Sequence, residues 1–403
     1  MASAVVRHRE EAGADPRPLV LVFRTNLLQL SETFIRNQVL ALQRWRALLV
    51  GLRYEPGLDL SQLNCQLLSS FKMQPIPRVL RSALRELNLP PPGVRRQLES
   101  LNASIAHVHF GTDLVALWPM LSRLRMPILA TLHGYDINVY PEVWRKTWRA
   151  SRKYPQRLVE IGNDPRVQFI AVSEAIKQRA IAFGLPEARI VVRYIGVDTE
   201  QFTPGGLPVG ERRRRILYVG RMVEKKGSSI LINAFAEVRR QVPDAELVMI
   251  GDGPLLDSCR ALAESLQVPV DFLGSVPHDR VQQEMEQARV FCLPSLTAES
   301  GDAEGLSIAI LEGQAAGVPV VTSARGASEA IEHGVSGYIF PESDVAALAT
   351  SLIDVLRDDQ LASAMSIAAR ERACRLFDLK KCTALLETQY EQSLLAFTRQ
   401  NRA

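Results

Sequence analysis

Apolar residues fall along this chain in short continuous runs, separated by longer segments in which they recur every three or four positions. The runs occupy residues 19–23, 47–52, 105–110, 127–133, 167–172 and 189–195. Such runs, bounded by turn signals, read as strands buried on both faces, and the periodic segments between them read as helices. One helix is expected to open at Ser31, with Ser31 as the N-cap and Glu32 in the first turn. A stretch rich in Gly and Pro follows at 196–215 and reads as a linker. The strand–helix alternation then restarts, with apolar runs at 216–220, 246–251, 270–274, 290–294 and 318–322. From Phe377 onward Leu379, Cys382, Leu385, Leu386, Gln389 and Tyr390 share one helical face. The pattern predicts an α/β fold of two doubly wound, Rossmann-like domains, 1–195 and 216–376, joined by a linker at 196–215. Residues 377–403 would form a terminal helix, and a ligand would lie between the domains, beyond the strand carboxyl ends.

Length agrees with that division, since 403 residues make two or three domains at roughly 150 residues each. With 47% hydrophobic and 23% charged residues the chain has the balance of an ordinary globular protein. No apolar run is long enough to span a bilayer, and the charged first 18 residues do not read as a secretory signal. The five cysteines form no CxxC pair, which points to a reducing, cytoplasmic setting and away from a zinc site.

Charge changes the picture, because it is unevenly divided. Residues 1–200 carry 27 Lys and Arg against 17 Asp and Glu, and the remainder carries 21 against 27. Only the first half is therefore suited to an anionic surface. Two segments concentrate the charge. One places Arg78, Arg81 and Arg85 on a helical face. The other interleaves Trp144, Trp148 and Tyr154 with Arg145, Lys146, Arg149, Arg152 and Lys153. Such segments either lie on anionic lipid headgroups at the inner face of the cytoplasmic membrane or are ordinary solvated faces. Nucleic acid is not expected as a partner, since no reading module accompanies the charge.

The chain has no GxxxxGK[ST] loop, no GxSxG elbow, no HExxH and no Asp-x-Asp pair. The GDG at 251–253 lacks the third glycine of a dinucleotide fingerprint. A phosphorylated ligand would have to be neutralised by cations and backbone amides of the chain itself, without a metal. Arg221 and Lys226 follow the first strand of the second domain, where two cations can converge on one anion. Glu304 and Gly305 precede a buried helix ending at Gly317, and free amides at a helix start make an anion site. Glu312 lies eight residues after Glu304, about 12 Å along an ideal helix. Among Ile308, Ile310, Leu311 and Ala315 its carboxyl needs hydrogen-bond partners, and ribose hydroxyls are suitable donors. His133 ends a strand beside a glycine, placed either to face the cleft or to bond backbone. His107 and His109 are expected on opposite faces of their strand, which would keep them from sharing a metal.

In combination these residues resemble the retaining glycosyltransferases of family 4, which have the GT-B fold. The resemblance runs through GRMVEKKG, VMIGDGPL, DFLGSVP, Glu304 with Glu312, GVPVVTS and HGVSGYIF, in the family's order. LSETFIRNQ, AHVHFGTD and LHGYDI are most similar to the branch that builds bacterial exopolysaccharides, including enzymes of colanic-acid type. The resemblance implies hexosyl transfer from a UDP- or GDP-type nucleotide sugar to a glycan or lipid-linked acceptor. It implies that Arg221 and Lys226 bind the diphosphate, and that Glu304 and His133 contact the transferred sugar. The amides of Gly305, Leu306 and Ser307 would hold sugar and phosphate, Glu312 the ribose, and the backbone near Val276 the base. Ser31 and Glu32 stand where many relatives have a glycine pair near the phosphates, and Ser307 where relatives often have proline. No cofactor or metal is implied. Two other readings remain: a non-hydrolysing sugar-nucleotide epimerase, and a catalytically silent nucleotide-binding relative.

Overall fold

Each half of the chain builds one fully parallel sheet, most of whose strands are joined through helices. The computed structural model describes residues 15–29, 31–54, 57–68, 93–146, 152–324 and 328–401. The first sheet contains β1 (Leu19–Leu27), β2 (Arg46–Tyr54), β3 (Cys65–Leu67), β4 (Ile105–His109), β5 (Ile128–Leu132), β6 (Val167–Ala171) and β7 (Ile190–Val192). Their order across the sheet is β3-β2-β1-β4-β5-β6-β7, every pair parallel. The second sheet contains β8 (Arg215–Val219), β9 (Glu246–Ile250), β10 (Asp271–Gly274), β11 (Val290–Leu293), β12 (Val320–Ser323) and β13 (Gly337–Phe340), in the order β10-β9-β8-β11-β12-β13. Both orders reverse direction beside the first strand of their sheet. The crevice beyond that switch point is where open α/β sheets bind ligands. The central strands are buried throughout because helices cover both faces.

The chain crosses between domains twice, at one place. Val197 and Asp378 form a parallel bridge: the Val197 amide donates to the Phe377 carbonyl at 2.8 Å, and the Leu379 amide to the Val197 carbonyl at 2.9 Å. The crossings are so close that a Cβ on Gly196 would stand 2.3 Å from Leu379 Cα. Nor is the segment after the first crossing a loose tether. Arg370 bonds the carbonyls of Thr199, Phe202 and Ala315, and Arg212 bonds those of Gly205, Leu207, Met285 and Ala288.

The helix Leu379–Gln400 returns to the first sheet. Its Glu387 carboxylate accepts from the amides of Gln43, Arg44 and Trp45, and Tyr390 packs against Trp45 with ring centroids 5.3 Å apart. Leu385, placed on the buried face by spacing alone, is exposed.

Three local expectations need correction. The helix expected from Ser31 begins at Thr33. Glu32 holds the cap position without a capping bond, because its carboxylate is drawn to Arg24 instead. Of the aromatics expected on a basic membrane-facing helix, Trp144 and Tyr154 are core residues with centroids 4.5 Å apart. Tyr154 also donates to the Asp136 carbonyl at 2.6 Å. Arg145 and Lys146 are exposed, whereas Arg78, Arg81, Arg85, Trp148 and Arg149 lie outside the described residues. Finally, His107 and His109 share a face with ring centroids 4.4 Å apart. A strand returns to the same face every second residue, so two positions apart means together.

Candidate active site

The carboxyl ends of the two sheets meet through the loops after β5 and β11. The Asn138 side chain donates to the Ala303 carbonyl at 3.1 Å, the Tyr140 amide to the Ser300 carbonyl at 2.9 Å, and the Ser173 hydroxyl to the Gly305 carbonyl at 3.0 Å. Glycine permits the approach. A Cβ on Gly305 would fall 2.1 Å from the His133 carbonyl oxygen, and Gly134, at φ +124, faces Ala303 and the Gly305 amide. His133 and Gly305, from opposite halves of the sequence, are thereby brought together.

On the second domain the loop after β8 carries the cations. It is held by the loop after β9, where the Met222 amide donates to the Asp252 carbonyl at 2.9 Å. The glycines of the GDG segment serve this contact: a Cβ on Gly251 would lie 1.9 Å from the Gly220 oxygen, and one on Gly253 2.5 Å from the Met222 oxygen. They make room for backbone, as the missing third glycine suggests.

Lys226 ends a single 3-10 turn, Glu224–Lys226, and its ammonium lies 3.0 Å from Glu304 Oε2. Lys225, which sequence reasoning missed, pairs with Asp302 at 3.0 Å and stands 3.9 Å from Glu304 Oε1. Burial pushes the Glu304 carboxyl up, but Lys226 and then Lys225 more than offset it, so it stays ionised below the usual glutamate range. Its Oε1 is buried without a hydrogen bond. Arg221 is exposed, with no side-chain partner among the described residues.

Glu304 precedes the helix Ile308–Ala315 rather than lying on it, so the ideal-helix ruler applies only beyond Ser307. Among the described residues, the amides of Gly305, Leu306 and Ser307 donate to no protein acceptor, and Ser307 does not cap with its side chain. The helix is buried nearly all round and closes through a bond from the Val318 amide to the Gly313 carbonyl, with Gly317 at φ +67. Glu312 faces His278 Nε2 at 3.6 Å, and burial pushes its carboxyl up to about 8. Val276 lies in the short loop that leads from β10 to His278.

On the first domain the polar groups bind one another. Asp136 accepts from the amides of Gly111, His133 and Gly134, which fixes the turn carrying His133. His133 Nε2 meets His109 Nδ1 at 3.1 Å, and its ring lies against Phe34 and Phe110. His107 has both nitrogens engaged at 2.7 Å, Nδ1 with Tyr390 and Nε2 with Thr131, which is what removes it as a metal ligand. Burial holds all three imidazoles below the ordinary histidine range. Behind them Arg24 forms buried ion pairs with Glu32 and Asp113 and covers the Phe110 ring at 4.4 Å. Glu32 is thus turned inward while Ser31 is exposed. Arg24, Asp113 and Asp136 went unremarked in the sequence. An Arg at the end of an apolar strand, and an Asp two residues past a strand-end glycine, were the available signals.

Two family models together match most of the chain: Glycosyltransferase Family 4 over residues 32–201 and Glycosyl transferases group 1 over residues 200–372. The chain is 33% identical over 304 residues to a GDP-mannose-dependent alpha-(1-6)-phosphatidylinositol monomannoside mannosyltransferase of Mycolicibacterium smegmatis, covering 71% of this chain and 77% of that one. It is 34% identical over 277 residues to the amylovoran biosynthesis glycosyltransferase AmsK of Erwinia amylovora, covering 67% and 65%. Among solved structures, Anabaena Alr3699/HepE in complex with UDP superposes with a TM-score of 0.74 at 20% identity, covering 93% of this chain and all of that one.

Proposed function

The chain belongs to glycosyltransferase family 4, and on that premise we propose that it moves a hexosyl group from a UDP- or GDP-type nucleotide sugar to a glycan or lipid-linked acceptor, with retention, in bacterial surface-polysaccharide synthesis. The observation that carries this reading is the convergence of Lys226 on Glu304 at 3.0 Å, beside three free amides and next to the His133 turn of the other domain.

The chemistry needs that arrangement. As the glycosidic bond breaks, negative charge grows on the diphosphate and positive charge on the anomeric carbon. Lys226 and the amides of Gly305, Leu306 and Ser307 are held donors for the leaving oxygens, and the exposed Arg221 is free to close on them. Groups already oriented in a water-poor site lower such a barrier without reorganising at the moment of reaction. Glu304, kept ionised by two lysines, orients the sugar hydroxyls, and His133 approaches the sugar from the first domain. Glu312 takes the ribose. The departing phosphate accepts the acceptor's proton, and no metal takes part.

The relatives' names, one GDP-mannose-dependent and one an exopolysaccharide enzyme, support the donor and acceptor classes. Among the described residues no helix is long and apolar enough to cross a membrane. A lipid-linked acceptor would be met at the inner membrane face, on the basic surface that includes Arg145 and Lys146.

The test is a panel of UDP-, GDP- and ADP-hexoses with purified protein, reading thermal shift and nucleoside-diphosphate release with and without acceptor. Stabilisation by one nucleotide class, with acceptor-dependent release unaffected by chelator, is expected. Sugar epimerisation with no acceptor present would favour the epimerase, and binding with no turnover the silent relative.

A further inference from the structure

We propose that His278 is a ribose-binding residue of the donor site, acting beside Glu312, and that the pair selects a ribonucleotide over its deoxy counterpart. The inference rests on the nucleotide-sugar reading above and adds to it a residue that reading does not use.

His278 opens the helix His278–Gln287 immediately after Pro277. Its ring is held edge-on to Phe202, a buried residue of the segment after the first domain crossing, with centroids 5.1 Å apart and planes at 83°. So held, Nε2 is shut off from solvent without a hydrogen-bond partner. Glu312 Oε1 is 3.6 Å away, too far for a hydrogen bond. Among the described residues the Glu312 carboxyl has no hydrogen bond of its own.

A solvent-excluded ring nitrogen and a mostly buried carboxyl therefore stand side by side, neither with a hydrogen bond. Native interiors leave few such groups, and each costs about 1–3 kcal/mol. A ligand offering two neighbouring hydroxyls satisfies both at once, because the spacing of the two groups is comparable with that of adjacent hydroxyl oxygens on a sugar ring. The ribose of a nucleotide carries such a diol. Burial and then the Arg36 guanidinium of the first domain disfavour the imidazolium, against a weaker opposing pull from Asp279. His278 is thus neutral and bonds a hydroxyl through Nε2.

Calorimetric titration of UDP and GDP, and of their 2′-deoxy and 3′-deoxy counterparts, tests the assignment on wild type, His278→Ala, His278→Asn and Glu312→Gln. Wild type should prefer the ribonucleotide by about tenfold over at least one deoxy form, the worth of a good hydrogen bond. His278→Ala should lose about tenfold for the ribonucleotide and little for the deoxy form lacking the hydroxyl it held, and His278→Asn should recover part. If the alanine variant does not fold, His278→Phe removes the nitrogen while keeping the contact with Phe202. No loss, or an equal loss for ribo and both deoxy forms, overturns the role of His278 and leaves the donor site standing. No binding of any nucleoside diphosphate by wild type overturns the donor-site reading itself.

Discussion

The two sheet edges that meet at the site treat their polar residues in opposite ways. On the first domain Arg24, Glu32, Asp113, Asp136 and His107 find partners within their own domain or on the returning helix. On the second domain the amides of 305–307, one oxygen of Glu304, the Glu312 carboxyl and His278 Nε2 make no hydrogen bond. Both edges are rich in charge, so charge alone does not tell a scaffold from a binding surface. What separates them is the degree of saturation: on the first edge His109 Nε2 is the imidazole nitrogen left without a partner, whereas on the second the unbonded groups lie together. A satisfied network holds a shape, whereas groups kept dry and unbonded are maintained against a cost that a ligand removes.

The contrast can be broken by experiment, beginning where the effect should be greatest. Arg24→Met would leave Glu32 and Asp113 buried without their cation, and losing one member of a buried ion pair costs about 3–5 kcal/mol. Urea unfolding should show that loss while nucleotide affinity in the folded protein changes little. An affinity loss without destabilisation would place Arg24 among the ligand-facing groups. Lys226→Ala and Arg221→Ala should both lower turnover at least tenfold, toward the ~10²–10³ typical of a removed transition-state donor. The melting temperature barely moves for exposed Arg221, whereas Lys226→Ala also destabilises, because it leaves the buried Glu304 carboxylate without its nearest cation. Wild-type rates in either variant would refute the diphosphate assignment.

Gly305→Ala tests the seam between the edges. Its Cβ would sit 2.1 Å from the His133 carbonyl oxygen, so an overpacking cost of about 1–3 kcal/mol is expected, together with a higher donor KM. An unchanged KM would show that the seam opens without disturbing the amides.

A further test sharpens the contrast through pH. Burial holds the Glu312 carboxyl at about 8, against an ordinary value of 4.5. Between those values the native protein keeps a proton that the unfolded chain releases, so this group makes stability fall as pH rises. Glu312→Gln removes the slope. Its melting temperature should gain on wild type from about pH 5 to about pH 8, by roughly 2–4 °C for each kcal/mol, and a constant gap would mean the carboxyl is solvated.

Long features were legible in the sequence and short or tertiary ones were not. The central strands announce themselves because burial on both faces demands unbroken apolar runs. Of the short edge strands, β7 and β10 lie in apolar runs and could be read, whereas β3 and β13 carry too few apolar residues in a row to show. Glu304 and Lys226 could be proposed because they lie on segments that follow strands, and Glu312 because it sits on the helix after one, in a recognisable order. Arg24 and Asp113 are 89 residues apart and meet only in the fold. The same holds for His278 and Glu312, which no spacing rule joins. Trp144 looked like a membrane residue because its basic neighbours suggested an exposed face, and in the folded chain those neighbours turn outward while the indole turns in.

The side-by-side crossings at Val197 and Asp378 have a consequence for building hybrids. Residues 198–377 leave and re-enter the molecule at adjacent points, so the whole second domain could be exchanged between relatives as a single cassette with its two splice junctions in contact. A cut at only the first junction would fare worse. It would separate the amino-terminal unit from the helix that supplies Glu387 to its backbone and Tyr390 to its buried histidine.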